Sequence, residues 1–183
     1  MKHPFRLLVI VGTVLALTAA CNPFGSTSSS GSLPEDPRFA EFTYETDGEI
    51  KVQERTDSFN ERMLALGATE GHVTAERFPE GRGVPMPDDH TWLTGVATVP
   101  PEAIQKLMEG ADGNNTLLPG IYPRLYQYVP QDCHFSTIPA DHANVVLESS
   151  TDIYSEWGSF TITAFAASAD CNLIIVTGEG TRG

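Results

Sequence analysis

The chain has 183 residues, with 24 Asp and Glu against 11 Lys and Arg, for a formal net charge of −13 at pH 7. Such an acidic excess argues against a nucleic-acid partner, because phosphate binding rests on Lys and Arg patches. It argues equally against docking of the folded part on anionic lipid.

The N-terminus comes first. Met1 to Arg6 carries Lys2 and Arg6 and no acid, and Leu7 to Leu17 follows as an apolar run with Gly12 and Thr13 as its weak points. About eleven residues make a helix of roughly 16 Å, too short for a bilayer core of about 30 Å. That length fits the hydrophobic region of a signal peptide. Ala19 and Ala20, both small, then stand directly before Cys21.

The segment Leu17-Thr18-Ala19-Ala20-Cys21 resembles the lipobox of bacterial lipoproteins, in which an aliphatic residue and two small residues precede a lipidated cysteine. It departs from the pattern at Thr18, with the aliphatic Leu17 one step further out. The resemblance covers residues 1–21 only. It implies that Cys21 takes diacylglycerol and palmitate, and that the protein sits on the extracytoplasmic face of the cell membrane. Plain secretion, and a buried N-terminal helix of a cytosolic protein, are the other readings of the same residues.

Three parts follow: a signal peptide over 1–20, a lipidated cysteine with a flexible Ser/Gly/Pro tether over 21–37, and one globular domain over 38–183. The run Ser26-Thr27-Ser28-Ser29-Ser30-Gly31-Ser32 has almost nothing apolar to bury, so it is expected to stay unordered. A dozen such residues reach roughly 19 Å. Loss of the leader leaves 9 basic against 24 acidic residues, formally −15. The remaining length, about 145 residues, suits one domain with a real core and is short for a two-lobed solute-binding protein.

Within the domain, Phe39 to Glu45 and Glu49 to Gln53 flank Asp47-Gly48 and predict a β-hairpin. Ser58-Phe59-Asn60-Glu61 reads as a capping box, opening a helix of two to three turns with Phe59, Met63 and Leu66 on one stripe and Gly67 as its stop. His72 to Phe78 predicts a strand, and Pro79 to His90, broken by Gly81, Gly83, Pro85 and Pro87, a loop.

Thr91 to Val99 predicts a strand with Leu93, Gly95, Ala97 and Val99 on one face. Pro100-Pro101-Glu102 opens a helix with Ile104, Leu107 and Met108 as its stripe. Asp112 to Asp132 is irregular. Asn144 to Glu148, Gly158 to Ala166 and Asn172 to Thr177 predict three strands, the last two as a hairpin. Phe160, Ile162 and Ala164 alternate there with Thr161, Thr163 and Phe165. Thr177 to Thr181 reads as a frayed tail. The expected fold class is α+β: a mostly antiparallel sheet with two short helices on one face.

Cys133 and Cys171 remain after Cys21. In an oxidising compartment an even pair predicts a disulfide, worth about 4 kcal/mol in the chain-entropy picture. A metal site of Cys133, His134 and His142 is the alternative. Asp88-Asp89-His90 and Asp141-His142 set carboxylates beside imidazoles, but neighbours on an extended chain point apart, and His-Glu-x-x-His, Cys-x-x-Cys and calcium-loop spacings are lacking. Nor is there a Gly-x-Ser-x-Gly elbow, and the glycines at 178 and 180 precede no helix. Ser159 reads as a ladder residue. Asn114-Asn115-Thr116 matches a glycosylation sequon, which carries little weight here. No catalytic residue, metal or cofactor is assigned.

The binding candidates are Tyr122, Tyr126 and Tyr128 in a Pro-bounded segment, with Trp92. The same rings also suit a lid over the sheet, and Trp92 and Trp157 suit a core. The expected role is a lipid-anchored binding or protein-interaction module of the cell envelope, held to the membrane through Cys21 and meeting an envelope protein. A small-ligand-binding lipoprotein and a metal-dependent enzyme using the histidines are the alternatives.

Overall fold

Apolar and β-branched residues along four long segments, each flanked by turn-forming or polar residues, give the central element of the molecule, a six-stranded sheet. The computed structural model describes residues 32–79, 90–111, 117–149 and 158–181. The expected signal peptide, Cys21, the tether up to Gly31, Asp88, Asp89, the Asn114 sequon and Trp157 lie outside the described residues.

In chain order the elements are β1 (Gln53–Glu54), α1 (Asp57–Asn60), β2 (Glu70–Arg77), β3 (His90–Thr98), α2 (Pro101–Met108), a 3₁₀ helix (Pro123–Tyr128), β4 (Ser136–Ile138), α3 (Ala140–Val146), β5 (Phe160–Ser168) and β6 (Leu173–Thr181). The strands lie in the order β1-β2-β3-β6-β5-β4, and every neighbouring pair is antiparallel. The mostly antiparallel α+β class expected from the sequence is the observed one.

Alternate residues of a strand point to opposite faces, so β3, β5 and β6 each feed two cores. Leu93, Ala97, Ile174 and Val176 join Phe59, Met63, Leu66, Ile104, Leu107, Ala143 and Leu147 in one cluster. Val96, Ala166 and Ile175 join Phe39, Ile121, Tyr122, Leu125 and Val129 in the other. Residues of α1, α2 and α3 therefore build the first core. The N-terminal segment and the 3₁₀ helix build the second.

Several sequence-based expectations are corrected. The Asp47-Gly48 hairpin does not form: residues 40–52 lie outside any strand, and only Gln53 and Glu54 pair with β2. Phe42 and Tyr44 instead pack their rings on Trp92, so aromatic burial outweighs strand pairing. The capping box is also absent. Thr56 holds the N-cap position without a side-chain bond, Ser58 lies inside a four-residue helix, and the Ser58 N–H is taken by Asp57 Oδ1 at 2.8 Å. The stripe nonetheless holds, since Phe59, Met63 and Leu66 are fully buried, and Gly67 turns the chain at φ +66°.

Residues 144–148 are not a strand. They close α3, which places Ala143 and Leu147 one turn apart in the core and leaves Val145 79% exposed. The strand-like feature there is a single side chain. The Asn144 amide donates to Ile162 O at 3.0 Å and accepts from Ile162 N at 2.9 Å. It thereby stands in for a neighbouring strand where β4, paired only with Phe165–Ala167, does not reach.

Two further corrections concern β5 and β6. A bulge between Ile162 and Ala164 breaks the alternation, so Phe165 and Ala167 share the first core with Phe160 and Ile162. The expected frayed tail is ladder: Thr177 to Thr181 pairs with β3 on one side and β5 on the other. Gly178 and Gly180 permit it, because a Cβ would meet the Phe160 ring at 2.4 Å and Ser159 O at 2.0 Å. The Cys133 and Cys171 sulfurs stand at bonding distance, with Cα–Cα 5.8 Å. They tie the lead-in of β4 to the β5–β6 turn.

Candidate functional site

The register carries the site. Trp92 of β3 stands beside Glu179 of β6, which stands beside Thr161 of β5. All three therefore face the side of the second core, with His90 two residues before Trp92. Onto this end of the sheet the N-terminal segment lays Phe42 and Tyr44. Tyr44 stacks on Trp92 with centroids 5.4 Å apart and planes 4° apart, and Phe42 meets both edge-on. The Trp92 indole N–H donates to Glu45 O at 3.0 Å, which fixes the segment.

A polar chain crosses these rings. The Tyr44 hydroxyl donates to Glu179 Oε1 at 3.1 Å and lies 3.3 Å from Thr163 Oγ1 at the bulge. His90 Nε2 stands 3.8 Å from Glu179 Oε2. Phe78 stacks on the His90 ring at 4.7 Å and meets Tyr44 edge-on at 5.7 Å. Burial, with the Glu179 charge adding to it, pushes the Tyr44 phenol up to about 12. It therefore stays a donor to the carboxylate at physiological pH. The side chains of His90 and Glu179 are 29% and 37% exposed, so solvent reaches both.

Of the residues expected from the sequence, Trp92 forms the floor of this site and the tyrosines lie along the second core. Trp92 is fully buried beneath Tyr44, and Tyr122 is buried, its N–H donating to Thr94 Oγ1 at 3.2 Å. Tyr126 stacks on Phe39 at 4.2 Å and Tyr128 on His72 at 3.5 Å. The three tyrosines are thus spread along the second core as a lid and do not converge.

The histidines also scatter. His142 lies against Gly110 with Nε2 3.3 Å from Lys106 O, at the end of α2. His134 Nδ1 lies 2.9 Å from Asp170 Oδ2, and the Ser168 hydroxyl donates to Asp170 Oδ1. The Ser168 and His134 bonds hold the Asp170 carboxyl far below the usual carboxylate range. This trio has the carboxylate in the middle. A nucleophilic serine needs the imidazole there, so the arrangement clasps a turn and activates nothing. Cys133 is committed to the disulfide. Among the described residues, no group of three or more His, Cys, Asp or Glu is placed to hold a metal ion.

Sequence reading missed Tyr44, Phe78 and Glu179. The density of rings from Phe39 to Tyr44 was the available signal, but it points equally to a hairpin. Glu179 sits in a stretch whose glycines resemble a loose end. Comparison with protein-family models, with curated proteins and with solved structures returns no match to this chain.

Proposed function

We propose that this protein is a lipid-anchored binding domain of the cell envelope, held at the extracytoplasmic face of the membrane through Cys21 and engaging an envelope protein. The N-terminal residues that resemble a lipobox support the anchor. The acidic composition supports it too, because such a domain gains nothing from an anionic bilayer and needs the lipid. The helices on one face of the sheet act as scaffold, and the opposite face carries the ligand. The observation that carries the binding reading is Glu179, a part-exposed carboxylate set among the rings of Tyr44, Phe78 and His90. A part-exposed charge within an aromatic setting serves recognition better than it serves stability.

Two measurements test this. Cys21→Ala is expected to move the protein from the membrane to the soluble fraction; retention with normal processing rejects the anchor. A photoreactive phenylalanine analogue at position 78 is expected to crosslink an envelope protein in intact cells, whereas one at position 145, exposed on α3, is not. Equal labelling from both positions rejects the binding surface.

A further inference from the structure

We propose that the Tyr44–Phe78–His90–Glu179 end of the sheet takes an arginine side chain, and that His90 is its built-in competitor. The inference rests on the reading of this end as the binding surface and adds the ligand class.

The two oxygens of Glu179 are not equivalent. Oε1 accepts from the Tyr44 hydroxyl at 3.1 Å. Oε2 has His90 Nε2 at 3.8 Å, beyond hydrogen-bond length and within ion-pair reach. Among the described residues no donor stands within hydrogen-bond length of this oxygen, so neutral His90 leaves it to a ligand and protonated His90 neutralises it. An external cation and the imidazolium compete for one carboxylate.

The rings choose the cation. A guanidinium is flat, weakly hydrated and able to stack on an aromatic face while its N–H groups meet a carboxylate. An ammonium is a strongly hydrated point charge and gains less from rings. Tyr44 holds the carboxylate, Phe78 reaches it through its contacts with Tyr44 and His90, and Thr161 of the adjacent strand and Thr163 at the bulge are exposed beside it.

The surrounding charge favours a cation. From β2 comes Glu76, register partner of Trp92. From β3 comes His90, and from β6 Glu179. Arg77 pairs with Thr91 and so belongs to the opposite side of the sheet. Histidine is the side chain that changes charge between about pH 5 and 8, so arginine should bind at pH 8 and be displaced at pH 5.5.

The test uses the protein from residue 21 onward as it exists after processing. The probe is a short Gly/Ser peptide bearing one arginine, with the same peptide bearing citrulline, its neutral isostere, as the control. Binding is followed by amide-shift titration. At pH 8 the arginine peptide is expected to bind about tenfold or more tighter than the citrulline peptide. At pH 5.5 it should weaken about fivefold or more, as His90 takes the carboxylate.

Glu179→Gln keeps an acceptor for Tyr44 and should abolish the arginine preference at both pH values, with unchanged circular dichroism. His90→Gln should retain binding at pH 8 and lose the pH dependence. Equal binding of both peptides at pH 8 overturns the ligand class, even if position 78 still crosslinks a partner. A pH dependence that survives His90→Gln overturns the competitor.

Discussion

The two faces of the sheet are covered by different materials, and they are held by different means. Residues of α1, α2 and α3 pack into one of the two cores. A helix satisfies most of its own backbone, so its contact with the sheet rests on shape, with the Asn144–Ile162 pair as the exception. Phe59 illustrates this: its ring fills a socket where Gly71 and Gly95, on neighbouring strands, lack side chains, and a Cβ on either would stand 2.6 or 2.5 Å from it. On the other side lies chain with little regular structure, whose buried backbone groups must find partners. The sheet's own side chains supply them. Thr94 Oγ1 takes the Tyr122 N–H and bonds Thr74 at 3.0 Å. Thr177 donates to Gly120 O at 3.1 Å, and Trp92 donates to Glu45 O. One face is fitted and the other is hydrogen-bonded.

The fitted face should fail by volume, with the largest effects. Phe59→Ala is expected to cost about 3–5 kcal/mol, since the socket cannot collapse between two strands. Gly95→Ala should cost about 1–3 kcal/mol by overpacking, and clearly less in the Phe59→Ala background, where the ring it strikes is gone. Urea unfolding of the four proteins measures this coupling. Strictly additive costs would mean that the ring and the glycine are independent, and the fitted description would fail.

The hydrogen-bonded face should fail by orphaned donors. Thr94→Val preserves shape and removes the acceptor of the Tyr122 N–H, which is buried, at an expected cost of about 1–3 kcal/mol. Hydrogen exchange should quicken at Tyr122 with little change around α2. A loss of protection spread evenly over both faces would erase the distinction between them.

The same contrast explains what was legible in the sequence. The helical side announces itself through periodicity: Phe59, Met63 and Leu66, and Ile104 with Leu107, are spaced for one stripe, and all five are buried as that spacing requires. The long strands β2, β3, β5 and β6 are legible for the same reason. What escaped depends on a partner far along the chain. Val145 and Val146 carry strand propensity, but Ala143 and Leu147 face the core only if the segment is helical, and Asn144 then replaces the strand with its amide. The bulge after Ile162 leaves no mark in an alternating run. The tail becomes ladder because β3 and β5 leave a gap of one strand between them, which local sequence does not record. The candidate site inherits this. His90, Glu179 and Tyr44 lie far apart in sequence, and only the register brings them together.

The smallest effect tests the site end of the hydrogen-bonded face through pH. The Tyr44 phenol is raised to about 12 by burial and by the Glu179 charge, above the ordinary value of about 10 in an unfolded chain. A group whose folded value is raised stabilises fully below the unfolded value and loses that contribution as pH rises through the folded one. The relevant window is therefore alkaline, from about pH 10 to 12, and nothing from this group changes near neutrality. Two units would amount to about 2.7 kcal/mol in a dry site. Tyr44 is only partly buried, and solvent screening brings the expectation to about 1 kcal/mol. Tyr44→Phe keeps the stacking on Trp92 and removes the titration. Burial also raises Tyr126, but that residue is common to both proteins and cancels in the difference. Urea midpoints at about pH 9 and 11 should fall further for the parent than for Tyr44→Phe, by about 1 kcal/mol. Parallel losses would mean that the phenol is open to water in solution, and with it the carboxylate it holds. The rings would then not define a site around Glu179 at all.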